Sequence, residues 1–97
     1  MNKVQYHRLF AVDLSGAQYW YEKQRGGLGE EFLICVKDAI TALIENPRHG
    51  KRIHANVFRV LTKRFPFAIY YRLQEDSIGV IGVRHLHRKP LKRFRII

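Results

Sequence analysis

The sequence predicts an α+β fold: an N-terminal strand, a two-helix hairpin, then a three-stranded antiparallel meander, with the helices packed on one face of a four-stranded sheet. Three observations predict it. Apolar residues recur at helical spacing through the first half, runs rich in Val, Ile, Phe and Tyr fill the second, and a polar Pro/Gly connector separates the two blocks.

Lys3–Tyr6 has the composition of a short strand. From about His7 to Gln24, Phe10, Leu14, Ala17 and Tyr21 recur at intervals of four, three and four, which stacks them on one helical face. A competing reading starts this helix later, with Asp13 or Ser15 as N-cap and Phe10–Val12 in a longer strand. Gly16 weakens the helix by about 1 kcal/mol relative to Ala. Arg25–Gly29 breaks it. The second helix runs from about Gly29 to Glu45, with Glu30 and Glu31 at its positive end and Phe32, Val36, Ala39 and Leu43 as its core stripe. Asn46–Pro47 stops it, and "NPRHGKR" reads as a polar connector. Val57–Thr62, Pro66–Leu73 and Ile78–His85 are the three strands, with a turn at Gln74–Ser77.

A chain of 97 residues holds one domain, residues 1–97, ending in a basic tail over 88–97. A hydrophobic share of 46% excludes a disordered chain. The longest apolar runs fall far short of the roughly twenty residues of a membrane helix, so no membrane partner is expected. The first residues lack the apolar core of a secretion signal, and Cys35 is the only cysteine, so no internal disulfide forms. A cytoplasmic location is expected.

Net charge is +10, and its distribution carries the information. Residues 1–50 hold six Lys/Arg and six Asp/Glu, whereas residues 51–97 hold twelve Lys/Arg against Glu75 and Asp76. The whole excess lies in the second half, where it attracts phosphate or an acidic protein. The alternative is a basic surface that serves only solubility. Strand alternation sorts this charge. Arg59, Leu61 and Lys63 share one face of their strand, as do Ala68, Tyr70 and Arg72 on the next. On the last, Val80, Gly82 and Arg84 oppose Ile81, Val83 and His85. With the apolar sets toward the helices, the open face collects Arg59, Lys63, Tyr70, Arg72 and Arg84, continued by Arg88 and Lys89 of the tail. Cations around an aromatic ring suit a nucleic-acid target; a solvated sheet face is the plainer reading.

His85 falls in phase with Ile81 and Val83 and reads as a hydrogen-bonded core histidine, whereas His87 lies beyond the strand. His-x-His puts two rings on one side, but a metal site needs further ligands and Cys35 sits mid-helix, so neither metal nor cofactor is expected. On the first helix Tyr19, Trp20 and Tyr21 spread over about 200° and cannot all face one core. Leu9, Val12, Gly16, Tyr19 and Trp20 form a second stripe that is either covered by the fold or left for a partner.

Four stretches in this order resemble the RelE/ParE superfamily of toxins from type II toxin–antitoxin systems: "DLSGAQYWYEKQ" (Asp13–Gln24), "GLGEEFL" (Gly27–Leu33), "ENPRHG" (Glu45–Gly50) and "RFPFAIYYRLQED" (Arg64–Asp76). The likeness covers about residues 3–90 and is nearest the ParE, or plasmid-stabilisation, side. It implies a toxin neutralised by a cognate antitoxin in a hetero-oligomer, with the antitoxin on Val12, Gly16, Tyr19 and Trp20. Two targets follow from the resemblance. ParE-like members inhibit DNA gyrase by binding; RelE-like members are metal-independent ribonucleases that cut messenger RNA on the ribosome. For cleavage the candidates are His87 as acid or base with Arg84 and Arg59 as cations. RelE-like members place a Tyr or His near the C-terminus, where this chain has Phe94, which transfers no proton. A third reading is a basic nucleic-acid-binding module, or the same fold without toxicity.

Overall fold

The protein is described here from a computed structural model, over residues 3–87. Chain order is β1 (Lys3–Tyr6), α1 (Phe10–Gln24), α2 (Leu28–Glu45), a single 3₁₀ turn (Pro47–His49), β2 (Lys51–His54), β3 (Val57–Leu61), β4 (Phe67–Leu73) and β5 (Ser77–His85). The strands form one mixed sheet in the order β1-β5-β4-β3-β2, antiparallel except where β1 runs parallel to β5. The chain leaves β1 at one edge, crosses the sheet through the helical hairpin and enters β2 at the opposite edge. It then steps back strand by strand until β5 lies beside β1.

The expected α+β order holds, with five strands rather than four. The extra strand, β2, comes from the stretch expected as a connector. All four of its residues are exposed and carry no apolar alternation, so only pairing with β3 makes it a strand. The first helix begins at Phe10, which excludes the longer-strand alternative: Phe10 is buried on the helix face and its N–H bonds the His7 carbonyl at 2.9 Å. Both predicted helical stripes face the sheet. Phe10, Phe32, Val36 and Leu43 are buried, and Leu14, Ala17, Tyr21 and Ala39 pack against them.

The hairpin is locked by Glu22. Its carboxylate accepts the N–H groups of Gly27 and Gly29, each at 2.9 Å, supplying the first turn of α2 with an acceptor from the preceding helix. Gly27 takes a φ of 88°, a conformation that suits glycine. The β3–β4 loop then ties hairpin to sheet. Arg64 bonds Glu31 at 2.5 Å, and Phe65 and Phe67 bring their rings to 5.4 and 4.9 Å from Phe32. Tyr21 closes the group, 4.8 Å from Phe65 and 5.2 Å from Phe32. "RFPF" is therefore a folding motif: every aromatic and basic residue in it holds the two layers together.

Tyr71 secures the far end. It is fully buried, stacks on Phe58 at 5.8 Å and donates its hydroxyl to the Pro47 carbonyl at 2.7 Å. Gly50 lets the chain pass this hydroxyl; a Cβ there would collide with it and sit 2.8 Å from the Arg59 carbonyl. Burial raises the Tyr71 pKa, with the Gly50 backbone opposing the shift.

A bulge in β5 corrects the predicted faces. Register runs Tyr70 with Gly82 but Tyr71 with Val80, so Ile81 is an extra residue. Val80 therefore joins the helix-side core instead of sharing Arg84's face. Ile81 goes to the other face, where it is fully buried with Val57, Ala68 and Tyr70 in a second small cluster. Beyond the bulge, Val83 and His85 lie on the helix side and Arg84 on the other, as alternation predicts.

Tyr71→Phe should cost about 1 kcal/mol, since it strands the Pro47 acceptor, and lower Tm by about 4–8 °C; Gly50→Ala should cost more, both measured by thermal unfolding. Acid sensitivity has a second expected signature. The Gly27 and Gly29 N–H groups lower the Glu22 pKa, and the Arg64 hydrogen bond, aided by Arg25, lowers that of Glu31. A carboxylate lowered on folding stabilises the fold above its unfolded pKa, and that gain is lost as pH falls through the folded value. Stability should therefore decline as pH drops below the ordinary 4.5. Glu22→Gln should be less stable at neutral pH and show a shallower acid decline in denaturant titrations.

Candidate functional site

Two surfaces carry candidate chemistry. The first is the sheet face away from the helices. Cross-strand register puts Arg59 opposite Tyr70, Val57 opposite Arg72 and Ala68 opposite Arg84. Directly opposed side chains stand about 4.5–5.5 Å apart at Cβ, so the three half-buried arginines border the second apolar cluster. Lys63, expected on this face, is exposed just past β3 and lines a groove against α2 with Asp38 and Ala42, on the helix side. Tyr70 lies on this face as expected, but its ring is only 4% exposed, so it packs the cluster and offers little surface for stacking. Arg88 and Lys89 lie outside the described residues.

Sequence reasoning missed Lys51, which pairs with Arg59 and shares its side of the sheet. The missing signal was β2 itself. None of the five strands contains an Asp or Glu. Like charges set directly opposite each other cost stability, so the Lys51–Arg59 pair gains when an anion lies across it.

The second surface is a cleft of about 610 Å³ between α1 and the end of β5. Val12, Gly16 and Trp20, one helical turn apart in succession, form its α1 wall; Val83, His85 and His87 line the opposite side. Val12 and Trp20 are 65% and 58% exposed, so the fold leaves this stripe uncovered. Tyr19, also exposed, lies outside the cleft, with the Lys23 ammonium 5.2 Å from its ring centroid. The predicted stripe thus divides in two.

His85 is half-buried, edge-on to Phe67 at 5.1 Å, and its Nδ1 accepts the His87 N–H at 3.1 Å. That bond places the proton of the neutral ring on Nε2. The His87 ring is exposed, 5.2 Å from that of His85. Arg84 borders the same cleft. Arg59 does not: it lies on β3, with β4 between it and β5, on the face opposite His85. The three residues expected for cleavage are split between the two surfaces. No group of His, Cys, Asp and Glu among the described residues has metal-site geometry. Among the described residues, no helix is long and apolar enough to cross a membrane.

The helical hairpin laid across a mixed sheet, with a face whose strands carry no Asp or Glu, is the arrangement to compare with known proteins. The family described as the ParE toxin of type II toxin–antitoxin system, parDE, matches residues 4–90. The chain belongs to this family and is a toxin of the type II class. Its fold is similar to that in a chromosomal ParDE system from P. aeruginosa (TM-score 0.74, 18% identity, covering 90% of this chain and 98% of that one). It is also similar to the intact E. coli RelBE toxin–antitoxin complex (0.59, 13%, 91% and 100%) and to the isolated E. coli RelE toxin (0.59, 13%, 92% and 88%). No curated protein matches significantly by sequence.

The exposed stripe makes Trp20, the only tryptophan, a reporter of the cleft. Its emission should be that of a hydrated indole, open to iodide quenching, and should shift to the blue with loss of quenching when a partner occupies the cleft.

Proposed function

We propose that this toxin acts as ParE-like toxins do, by binding DNA gyrase without chemistry of its own, and that a cognate antitoxin neutralises it in the cytoplasm. The observation that favours binding over cleavage is the separation of Arg59 from His87: Arg59 lies on the sheet face opposite His85, and His87 lines the cleft on the other side. Proton transfer and charge stabilisation at one phosphate need acid, base and cation within hydrogen-bond reach of the same atoms. A target that is only bound needs a surface, and the face carrying Lys51, Arg59, Arg72 and Arg84 is continuous across four strands. The antitoxin falls to the α1 stripe, where Val12, Gly16 and Trp20 stand uncovered. The cellular target and the antitoxin thereby take different sides of the molecule.

Purified toxin should inhibit supercoiling by gyrase in vitro, and its induction should halt DNA replication with translated transcripts intact. Transcripts cut in frame on the ribosome, with gyrase unaffected, would establish the ribonuclease reading and make His87 its acid or base. Lys51→Glu gives a sharper test. It converts a like-charge cross-strand pair into an opposite-charge pair, so the fold should gain about 0.2–1 kcal/mol while gyrase inhibition weakens.

A further inference from the structure

The His-x-His spacing puts two rings on one side of the chain, and the structure adds how far apart they stand. His85 and His87 both line the α1–β5 cleft, with ring centroids 5.2 Å apart and planes tilted by 38°. A metal–nitrogen bond of about 2.0–2.1 Å puts an ion about 3.2 Å from the centroid of each imidazole that binds it, and at the tetrahedral angle two such rings stand about 5.2 Å apart. The histidine pair has the separation of two ligands on one ion.

The two rings are held differently. His85 is half-buried and edge-on to Phe67 at 5.1 Å, and Phe67 in turn contacts Phe32 and Tyr21, so the core fixes this ring. His87 follows the strand in a turn with its ring exposed, and rotation about its side-chain bonds can aim a nitrogen at the same point. One ligand ordered in advance lowers the cost of capturing an ion. His85 Nδ1 accepts the His87 N–H at 3.1 Å, which leaves Nε2 as the nitrogen for a metal. Binding there moves the ring proton from Nε2 to Nδ1 and releases the exposed His87 N–H to water.

The surroundings set the kind of ion. Asp13 lines the cleft from α1 and Arg84 from β5. The carboxylate favours a cation and the guanidinium opposes one, so neither decides the matter. The donors are imidazoles, which suit nickel, copper and zinc; magnesium prefers oxygen ligands. Among the described residues no group of three or more ligands comes together. The pair is therefore a two-point seat with water in the remaining positions, open to exchange with solvent.

We propose that His85 and His87 form a binding site for a divalent transition metal on the β5 wall of the cleft, with His85 Nε2 as the fixed ligand and the His87 ring as the adaptable one. The site rests on the histidine geometry alone and is independent of which target the toxin binds.

The test uses the full chain without an affinity tag. Calorimetric titration with nickel or zinc should show one ion bound per chain, and magnesium should give no binding. In NMR of the histidine rings, zinc should move the His85 proton from Nε2 to Nδ1. His87→Ala is the decisive variant: the ring is exposed, so the fold should be kept. Its nickel affinity should fall at least about tenfold, the lower end of what losing even an outer hydrogen-bond partner costs a metal site. His49→Ala is the control, since His49 lies in the other groove, between α2 and β3, and nickel affinity should be unchanged. No binding of nickel or zinc, full affinity in folded His87→Ala, a loss in His49→Ala in its place, or an unchanged His85 tautomer with zinc bound would each overturn the proposal.

Discussion

The structure depends on one aromatic junction. Tyr21 from α1 and Phe32 from α2 lie 5.2 Å apart, and each brings its ring within 6.0 Å of Phe65, in the β3–β4 loop, and of Phe67, at the start of β4. Each ring comes from a different element or loop, and offset or edge-on contacts add to the area they bury. In a domain this small, a hairpin of two helices has little else to hold it at one angle to the sheet. Phe67 also carries the junction outward: its far side meets His85, so the wall of the cleft is braced by the core itself.

Around that junction the molecule separates its duties by face. The helix side of the sheet is nearly all apolar and makes the fold. The other side buries only a small cluster and surrounds it with arginine. Long arginine side chains cover apolar surface while keeping their charge in water, so one face both packs the cluster and presents positive charge. Three exposed large apolar side chains, Val12, Tyr19 and Trp20, lie on α1. Basic face and apolar stripe lie on different sides of the sheet and meet at Arg84, which borders the cleft.

The family resemblance and the physical account meet in the motifs. "RFPF" holds the sheet to the hairpin, and Tyr71 holds it to the Pro47 turn. Glu22 in the first stretch caps the helix that begins in the second. These residues mark the fold and leave the target open, because a fold does not by itself fix a function.

The sequence by itself determined the α+β order, both helical core stripes, the existence of a second apolar stripe on α1 and the gathering of positive charge in the second half of the chain. All are periodic or compositional, so neighbours along the chain are enough to define them. Tertiary structure alone decided the rest, including the exposure of that second stripe. β2 is a strand only because β3 lies beside it. The bulge at Ile81 reverses the faces of Val80 and Ile81, since one inserted residue shifts a period of two. Tyr70 is buried because Val57, Ala68 and Ile81 converge from three strands. The cleft exists because β1 stops after four residues while β5 runs for nine. Each depends on which strands become neighbours, and that is settled by long-range pairing that no local pattern encodes.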